Sequence, residues 1–293
     1  MDNDFILFDR LEVIKKTIQE YGEENFYISF SGGKDSTVVH YLVDMAVPGN
    51  RIPRVFINTG IEYNEIVKFV KETAEHDDRV VILKPSRPIK ATLEKYGYPF
   101  KSKEHSEKLS QYQRSGESEY IKKYLTKEQF GCPSFLRYQF SDSFKLLVSR
   151  ECCRKMKKEP IKKWEKENNR PSCITGMRAA EGGERTHLGC ILTGKNGKLK
   201  KFHPLVKVTD EWETWLINSH NVQLASLYYS PYNFKRTGCK GCPFALELQD
   251  QLEIMERYFP EERKQCEIIW GPVYKEYRRL GYRLKKDEQL KLL

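Results

Sequence analysis

Six consecutive residues, Ser31-Gly32-Gly33-Lys34-Asp35-Ser36, have the types and spacing of an anion-binding turn. Neither glycine carries a Cβ, so the backbone bends sharply there and approaches a ligand closely. The N–H groups of such a turn, with those of a following helix N-terminus, form a concave site for anionic oxygens. Ser31 and Ser36 add hydroxyl donors and Lys34 adds a charge. The spacing differs from the G-x-x-x-x-G-K-S/T loop and from G-x-G-x-x-G. The expected ligand is a nucleotide phosphate. The plainer alternative is a Gly-Gly turn with polar caps.

A second group able to do chemistry is built from cysteine. Of eight cysteines, Cys152 and Cys153 are adjacent, and Cys239-Lys240-Gly241-Cys242 is a C-x-x-C whose glycine frees the turn. Four thiolates so arranged can wrap an iron–sulfur cube or a tetrahedral zinc. Basic neighbours Arg154, Lys155, Arg236 and Lys240 offset the negative charge of such a group. In a long chain with no secretory signal, metal ligation or catalysis is expected over disulfides. Cys132, Cys173, Cys190 and Cys266 read as buried small residues. The alternative for any of them is a persulfide carrier.

The elements that must hold these groups alternate. A helix over 5–20 precedes a strand at Phe26-Tyr27-Ile28-Ser29-Phe30, which enters the glycine turn; Thr37 to Val43 continues as helix. Arg54-Val55-Phe56-Ile57 and Arg79-Val80-Val81-Ile82-Leu83 read as strands flanking a helical Glu65–Glu75, and Ser172–Gly176 as a strand after a polar helix, Ile161–Asn168. Such alternation predicts an α/β fold with a parallel sheet, whose ligands sit at the carboxyl ends of the strands. That puts the Ser31 turn and Asn58-Thr59-Gly60 on one rim. Lys195-Asn196-Gly197-Lys198 reads as a hairpin turn, and the chain after about residue 210 as helical with a charged tail.

Residues 97–131 stand apart: Lys101, Lys103, His105, Lys108, Arg114, Lys122, Lys123 and Lys127 interleave with Tyr112, Tyr120 and Tyr124. A mobile basic insertion of this kind serves as a lid or holds a nucleic-acid backbone with stacking rings; the alternative is a solvated helical surface. Across 293 residues, 51 Lys and Arg against 41 acidic residues give +10, which favours a polyanionic partner or an anionic substrate. With 39% hydrophobic residues a packed core is feasible. No apolar run approaches the roughly 20 residues that span a bilayer. The acidic start Met1-Asp2-Asn3-Asp4 lacks a signal-peptide pattern, so a cytoplasmic protein without membrane contact is expected.

S-G-G-x-D-S after a strand resembles the pyrophosphate loop of the ATP pyrophosphatases, which cleave between the α- and β-phosphates and activate a substrate by adenylation. Later segments resemble the phosphoadenosine phosphosulfate (PAPS) reductase family in order. Cys152-Cys153 with Lys157 and Pro160 resembles its C-C-x-x-x-K-x-x-P segment. Ile174-Thr175-Gly176-Met177-Arg178, with Glu181 and Arg185, is similar to its G-x-R loop. His203-Pro204-Leu205 with Asp210-Glu211-Trp212, Leu227-Tyr228-Tyr229 with Thr237-Gly238-Cys239, and Asn58-Thr59-Gly60-Ile61-Glu62 resemble further stretches, with Asn58 in place of an Asp.

The resemblance implies a doubly wound parallel sheet of about five strands. It carries a basic helical insertion and a C-terminal helical extension. The domains implied are a nucleotide-binding region over 1–215, with 97–150 as insertion, and a cysteine-containing helical region over 216–293. It implies a nucleotide site of Phe30, Ser31, Gly32, Gly33, Asp35, Ser36, Asn58, Thr59, Gly60 and Gly176, with main-chain groups near Phe30 and Asn58 meeting adenine and ribose. Mg²⁺ is expected near Asp35. Lys34, Arg178 and Arg185 neutralise charge as pyrophosphate leaves, and Asp35 completes the catalytic set. Cys152, Cys153, Cys239 and Cys242 mark members carrying a 4Fe–4S cluster, with zinc as the second choice.

The family's reductases attack a sulfonucleotide with a cysteine in a C-terminal E-C-G-L/I-H segment. Here residues 267–293 hold no cysteine, and Cys266 lies in Lys264-Gln265-Cys266-Glu267-Ile268. That departure resembles ATP-using sulfurtransferase-like members of DNA phosphorothioation and tRNA thiolation. The function expected is therefore an adenylating ATP pyrophosphatase in sulfur chemistry on a nucleic acid. Its expected partners are a nucleic acid or a sulfur-donor protein such as a cysteine desulfurase, and a homo-oligomeric state is anticipated. The alternatives are a sulfonucleotide reductase using Cys266 or an external thiol, and a non-catalytic nucleotide- and DNA-binding subunit.

Overall fold

The computed structural model describes residues 2–182, 185–194 and 197–286. Six strands are present among them: β1 Phe26–Ser29, β2 Arg54–Ile57, β3 Val80–Leu83, β4 Ser172–Ile174, β5 Ile191–Thr193 and β6 Leu199–Phe202. The helices are α1 Asn3–Tyr21, α2 Lys34–Ala46, α3 Asn64–His76, α4 Ile89–Tyr96, α5 Lys103–Ser115, α6 Glu119–Thr126, α7 Glu151–Cys153, α8 Glu159–Glu167, α9 Asp210–Ser219, α10 Leu248–Tyr258 and α11 Pro260–Leu280. The described residues fall into two compact units. One comprises Met1–Asn58, Glu62–Lys84 and Pro160–Thr237; the other comprises Thr59–Ile61, Pro85–Glu159 and Gly238–Leu293.

The first unit holds the whole sheet, in the order β3-β2-β1-β4-β6-β5. The five strands β3, β2, β1, β4 and β6 run parallel, and β5 adds an antiparallel edge. Parallel strands covered on both faces read as unbroken apolar runs, as the buried Phe26, Tyr27 and Ile28 of β1 do. Ile28 of β1 sits opposite both Arg54 of β2 and Ile174 of β4. Tyr27, Val55, Trp164 and Cys173 form a buried cluster, with Ile161 packed against it. The Tyr27 hydroxyl donates to Glu165 at 2.6 Å, which ties α8 to the sheet.

Strand order reverses between β1 and β4. The crevice outside the carboxyl ends of those two strands is where an open α/β sheet binds ligands. The Ser31 turn leaves β1 there, and Thr175-Gly176 leaves β4 there. At the far edge, β5 and β6 pair antiparallel, with Ile191 opposite Phe202. Lys195 and Asn196 of the expected hairpin turn lie outside the described residues; the Gly194 N–H donates to the Lys198 carbonyl at 2.8 Å. Residues 287–293 of the charged tail also lie outside them.

The second unit is helical. Its interior takes residues that the sequence reading placed on an available basic, aromatic surface. His105 is buried, bonding Tyr124 Oη at 3.0 Å and Gln139 Oε1 at 2.8 Å. Lys108 is also buried, with its ammonium 2.8 Å from the Tyr120 ring centroid. These residues face inward because α5 and α6 are amphipathic and bury Leu109, Ile121 and Tyr124. Lys103, Arg114, Lys122, Lys123 and Lys127 remain exposed.

Candidate nucleotide site and cysteine group

The Ser31 turn is held by its own hydroxyls. Ser36 Oγ accepts from the Ser31 N–H at 3.1 Å, and Ser31 Oγ accepts from the Gly33 N–H at 3.3 Å. Gly33 caps α2, and its carbonyl takes bonds from the Ser36 and Thr37 hydroxyls at 2.8 and 3.1 Å. Gly32 has φ +67°, and a Cβ there would come within 2.8 Å of Val70 Cγ2. From far along the chain, Tyr228 Oη accepts from the Lys34 N–H at 2.9 Å and bonds Thr237 Oγ1 at 2.7 Å. The Ser31, Gly33 and Lys34 N–H groups thus donate to side-chain hydroxyls.

The turn after β4 packs directly on the start of α2. A Cβ at Gly176 would meet the Asp35 carbonyl oxygen at 2.6 Å, so only glycine permits this approach. Two residues on, buried Arg178 reaches three carboxylates. Its Nε donates to Asp35 Oδ1 at 2.6 Å, Nη1 lies 2.6 Å from Asp210 Oδ1, and Nη2 lies 3.3 Å from Glu213 Oε2. Lys34 Nζ is 2.8 Å from the same Glu213 oxygen. Asp210 and Glu213 share one face of α9, three residues apart, and Thr209 Oγ1 caps that helix at Trp212 N.

Glu213 is fully buried. Burial first, then the Asp35 charge, push its pKa up to about 7, against the pull of Lys34 and Arg178. Neither Glu213 oxygen has an aligned hydrogen-bond donor, and Arg178 Nη1 likewise lacks an aligned acceptor. Close opposite charges hold these groups together, with the Arg178–Asp35 hydrogen bond added to them. Burial opposes the Arg178 charge, but Glu213 and Asp35 more than offset this and raise its pKa. Arg185 is lowered by burial and by the neighbouring Arg236 charge, with Asp35 opposing. A polyphosphate would meet the cations Lys34, Arg178, Arg185 and Arg236, which outnumber Asp35, Asp210 and Glu213 in the same electrostatic group.

The structure therefore brings Ser31, Gly32, Gly33, Lys34, Asp35, Ser36, Gly176, Arg178 and Arg185 together in the first unit. Phe30 and Asn58 also belong to it; their N–H groups donate to Val55 and Leu83 carbonyls at 3.1 and 2.8 Å, so both are engaged in the sheet. A cavity of about 200 Å³ opens beside the Phe30 ring, lined by Thr37, His40, Phe69 and Val222. Thr59 and Gly60 belong to the second unit, where Thr59 is buried and Gly60 has φ +82°. The side chain of Glu181 lies outside the described residues. The sequence reading gave no role to Glu213, Asp210, Tyr228 or Thr237. Asp210, Tyr228 and Thr237 lie in segments that resemble the family, and Glu213 stands three residues after Asp210 on α9, within reach of the same face.

All four cysteines of the expected metal set lie in the second unit. Cys152 and Cys153 form α7, which runs on as a π-helical turn over Arg154–Lys158, an irregularity frequent at functional sites. Burial raises the Cys152 thiol well above its ordinary value, and the charges of Cys239, Cys153 and Cys242 raise it further; Lys157 opposes them. Cys242 is pushed up to about 12 by burial and then by Cys239. The sulfurs are thus close enough to act on one another. Among the described residues, however, no three His, Cys, Asp or Glu side chains stand in a metal-holding arrangement. The donor chemistry of Cys152, Cys153, Cys239 and Cys242 fits a soft metal or an iron–sulfur cluster, whose binding would deprotonate the thiols.

The lone cysteines are mostly interior. Cys132, Cys173 and Cys266 are buried, with burial first among the causes that raise their pKa to about 11, 12 and 12; Cys190 is half-buried and also raised. Among the described residues no helix is long and apolar enough to cross a membrane.

The sequence matches the phosphoadenosine phosphosulfate reductase domain over residues 25–132 and 136–245. An uncharacterized protein of Methanocaldococcus jannaschii is 30% identical over 255 residues, 85% of this chain and 49% of that protein. The chain spans about half the length of that curated relative. Among solved structures, a PAPS reductase from Candida auris in a phosphate complex is similar with 16% identity, 78% and 93% coverage of the two chains and a TM-score of 0.42. The U34-tRNA thiolase NcsA from Methanococcus maripaludis, solved with its 4Fe–4S cluster, is similar with 15% identity, 95% and 80% coverage and a TM-score of 0.37.

Proposed function

This chain belongs to the phosphoadenosine phosphosulfate reductase domain family, and on that premise we propose that it is an ATP pyrophosphatase that adenylates an acceptor in sulfur chemistry on a nucleic acid. One observation carries the reading. The Ser31–Ser36 turn lies at the β1/β4 switch point, with Lys34 and Arg178 gathered over it. In the reaction, an acceptor oxygen attacks the α-phosphorus of ATP. The bond to the α,β-bridging oxygen breaks, the acceptor carries AMP, and pyrophosphate leaves with the electron pair. The turn's N–H groups hold the departing phosphates, and Lys34, Arg178 and Arg185 meet the charge that grows on them. Asp35 orients Arg178 by accepting from its Nε, and it would also hold Mg²⁺ when the metal is bound. A sulfur nucleophile from a donor protein then displaces AMP. The exposed lysines of α5 and α6 supply contacts for a nucleic-acid backbone.

Cys152, Cys153, Cys239 and Cys242 would hold a 4Fe–4S cluster, or zinc as the second choice; when bound, the cluster would supply a thiophilic iron site for the sulfur step. Cys266 is a poor candidate for a sulfonucleotide-attacking thiolate, because it is fully buried and its Sγ lies 3.9 Å from Met255 Sδ. The test is ATP–pyrophosphate exchange, run with and without tRNA and DNA. Exchange that depends on Lys34 supports the reading. No exchange with either acceptor, while PAPS or adenylylsulfate releases sulfite, overturns it.

A further inference from the structure

Helix α11 aligns one face with the Cys239–Cys242 turn. Trp270, Tyr274 and Tyr277 follow one another at helical spacing, and all three are fully buried. Trp270 Nε1 donates to the Lys240 carbonyl at 3.1 Å. The Tyr274 hydroxyl donates to the Gly241 carbonyl. The Tyr277 hydroxyl donates to the Pro243 carbonyl at 2.9 Å. Nearer the start of the helix, buried Glu262 pairs with the buried Lys240 ammonium at 2.9 Å. Gly241 has φ +61°, and a Cβ there would come within 2.7 Å of Cys266 Sγ.

Three carbonyls in four consecutive residues are taken by three side chains of one helix, and the loop's own lysine is tied to a fourth. Buried aromatic hydroxyls and indole N–H groups need such partners. Each bond fixes one peptide plane of the turn, so the direction in which Cys239 and Cys242 project follows from α11. Ligand precision of this kind is set by the groups that hold the ligands.

We infer that Trp270, Tyr274 and Tyr277 of α11 are positioning residues for the four-cysteine site, clamping the Cys239–Cys242 turn through its carbonyls. This rests on reading Cys152, Cys153, Cys239 and Cys242 as one ligand set. Cys266, on the same helix face, then serves as packing beneath Gly241.

The test compares the full chain with Tyr274→Phe, Tyr277→Phe and an exposed control in the same unit, Tyr120→Phe, each losing a single hydroxyl. Metal-free reduced protein is alkylated, and the rate at Cys242 is followed by peptide mass spectrometry against Cys132 in the same sample. Each clamp variant is expected to speed Cys242 modification about tenfold, equivalent to about 1.4 kcal/mol, with Cys132 and the Tyr120→Phe control unchanged. Iron and sulfide retained after anaerobic reconstitution should fall at least about twofold, and the electron paramagnetic resonance line shape of the reduced protein should shift. Equal Cys242 rates in all variants overturn the clamp. Equal acceleration at Cys132 also overturns it, since that is general loosening. If the unaltered protein takes up no iron, the cluster reading falls, while the alkylation rates still decide the clamp.

Discussion

Lys34 Nζ lies 2.8 Å from Oε2 of Glu213, a carboxylate with no exposed surface, and Arg178 Nη2 lies 3.3 Å from the same oxygen. The lysine of the glycine turn is therefore held by a buried acid supplied by α9, and a polyphosphate entering the turn competes with that acid for both cations.

Replacing Glu213 with Gln removes the competitor while keeping the shape. ATP binding measured by calorimetry should tighten roughly three- to tenfold in Glu213→Gln, whereas Lys34→Ala should weaken it roughly ten- to a hundredfold.

The same carboxyl makes stability depend on pH. Burial and Asp35 raise Glu213 from 4.5 to about 7 in the folded protein, so the folded state holds this proton more tightly than the unfolded state. Its contribution is full below about pH 4.5 and is lost as pH rises through about 7. Urea melts at pH 5 and pH 8 should show the unaltered protein losing on the order of 1–3 kcal/mol more across that window than Glu213→Gln.

Gly176→Ala places a methyl against the Asp35 carbonyl, where a Cβ would sit at 2.6 Å. The β4 turn must back away, at about 1–3 kcal/mol, carrying Arg178 from Asp35. ATP affinity should fall at least about tenfold with the circular dichroism spectrum retained. Gly182→Ala is no matched control, since Gly182 has φ +74°; Gly238→Ala is, since nothing lies within 4 Å of its added Cβ.

Cys266→Ala tests the reductase reading. The side chain is buried against Gly241 and Met255, so the change should cost roughly 1 kcal/mol in a thermal melt through the lost packing. Turnover of ATP, and any sulfite release from PAPS, should be unaltered.

Much of the sheet was legible because buried parallel strands carry unbroken apolar runs: Arg54–Ile57 was read with its observed ends, and the strand starting at Phe26 differs only at Phe30. The glycine turn was legible because its chemistry is local. The acid that holds its lysine was not, since Glu213 lies between Trp212 and Trp215 on a helix whose pattern speaks of packing, 179 residues after Lys34. Tyr228 and Thr237 reach the turn from 194 residues beyond Lys34 and nearby, a relation no spacing rule carries. In the sequence Lys108 and His105 look accessible because charge usually implies water; a tyrosine ring under the one and two hydrogen bonds on the other make burial tolerable. The α11 clamp was hidden for a similar reason: Trp270, Tyr274 and Tyr277 look like core, and their polar atoms show a use only once the Cys239 turn is beside them.

The proposed function turns on cleavage of ATP between its α- and β-phosphates. The most direct measurement is phosphorus NMR of ATP incubated with the protein, Mg²⁺ and tRNA or DNA. AMP, free or acceptor-bound, together with pyrophosphate, lost in Lys34→Ala, is the predicted result. ADP with orthophosphate, or the same products from Lys34→Ala, would contradict it.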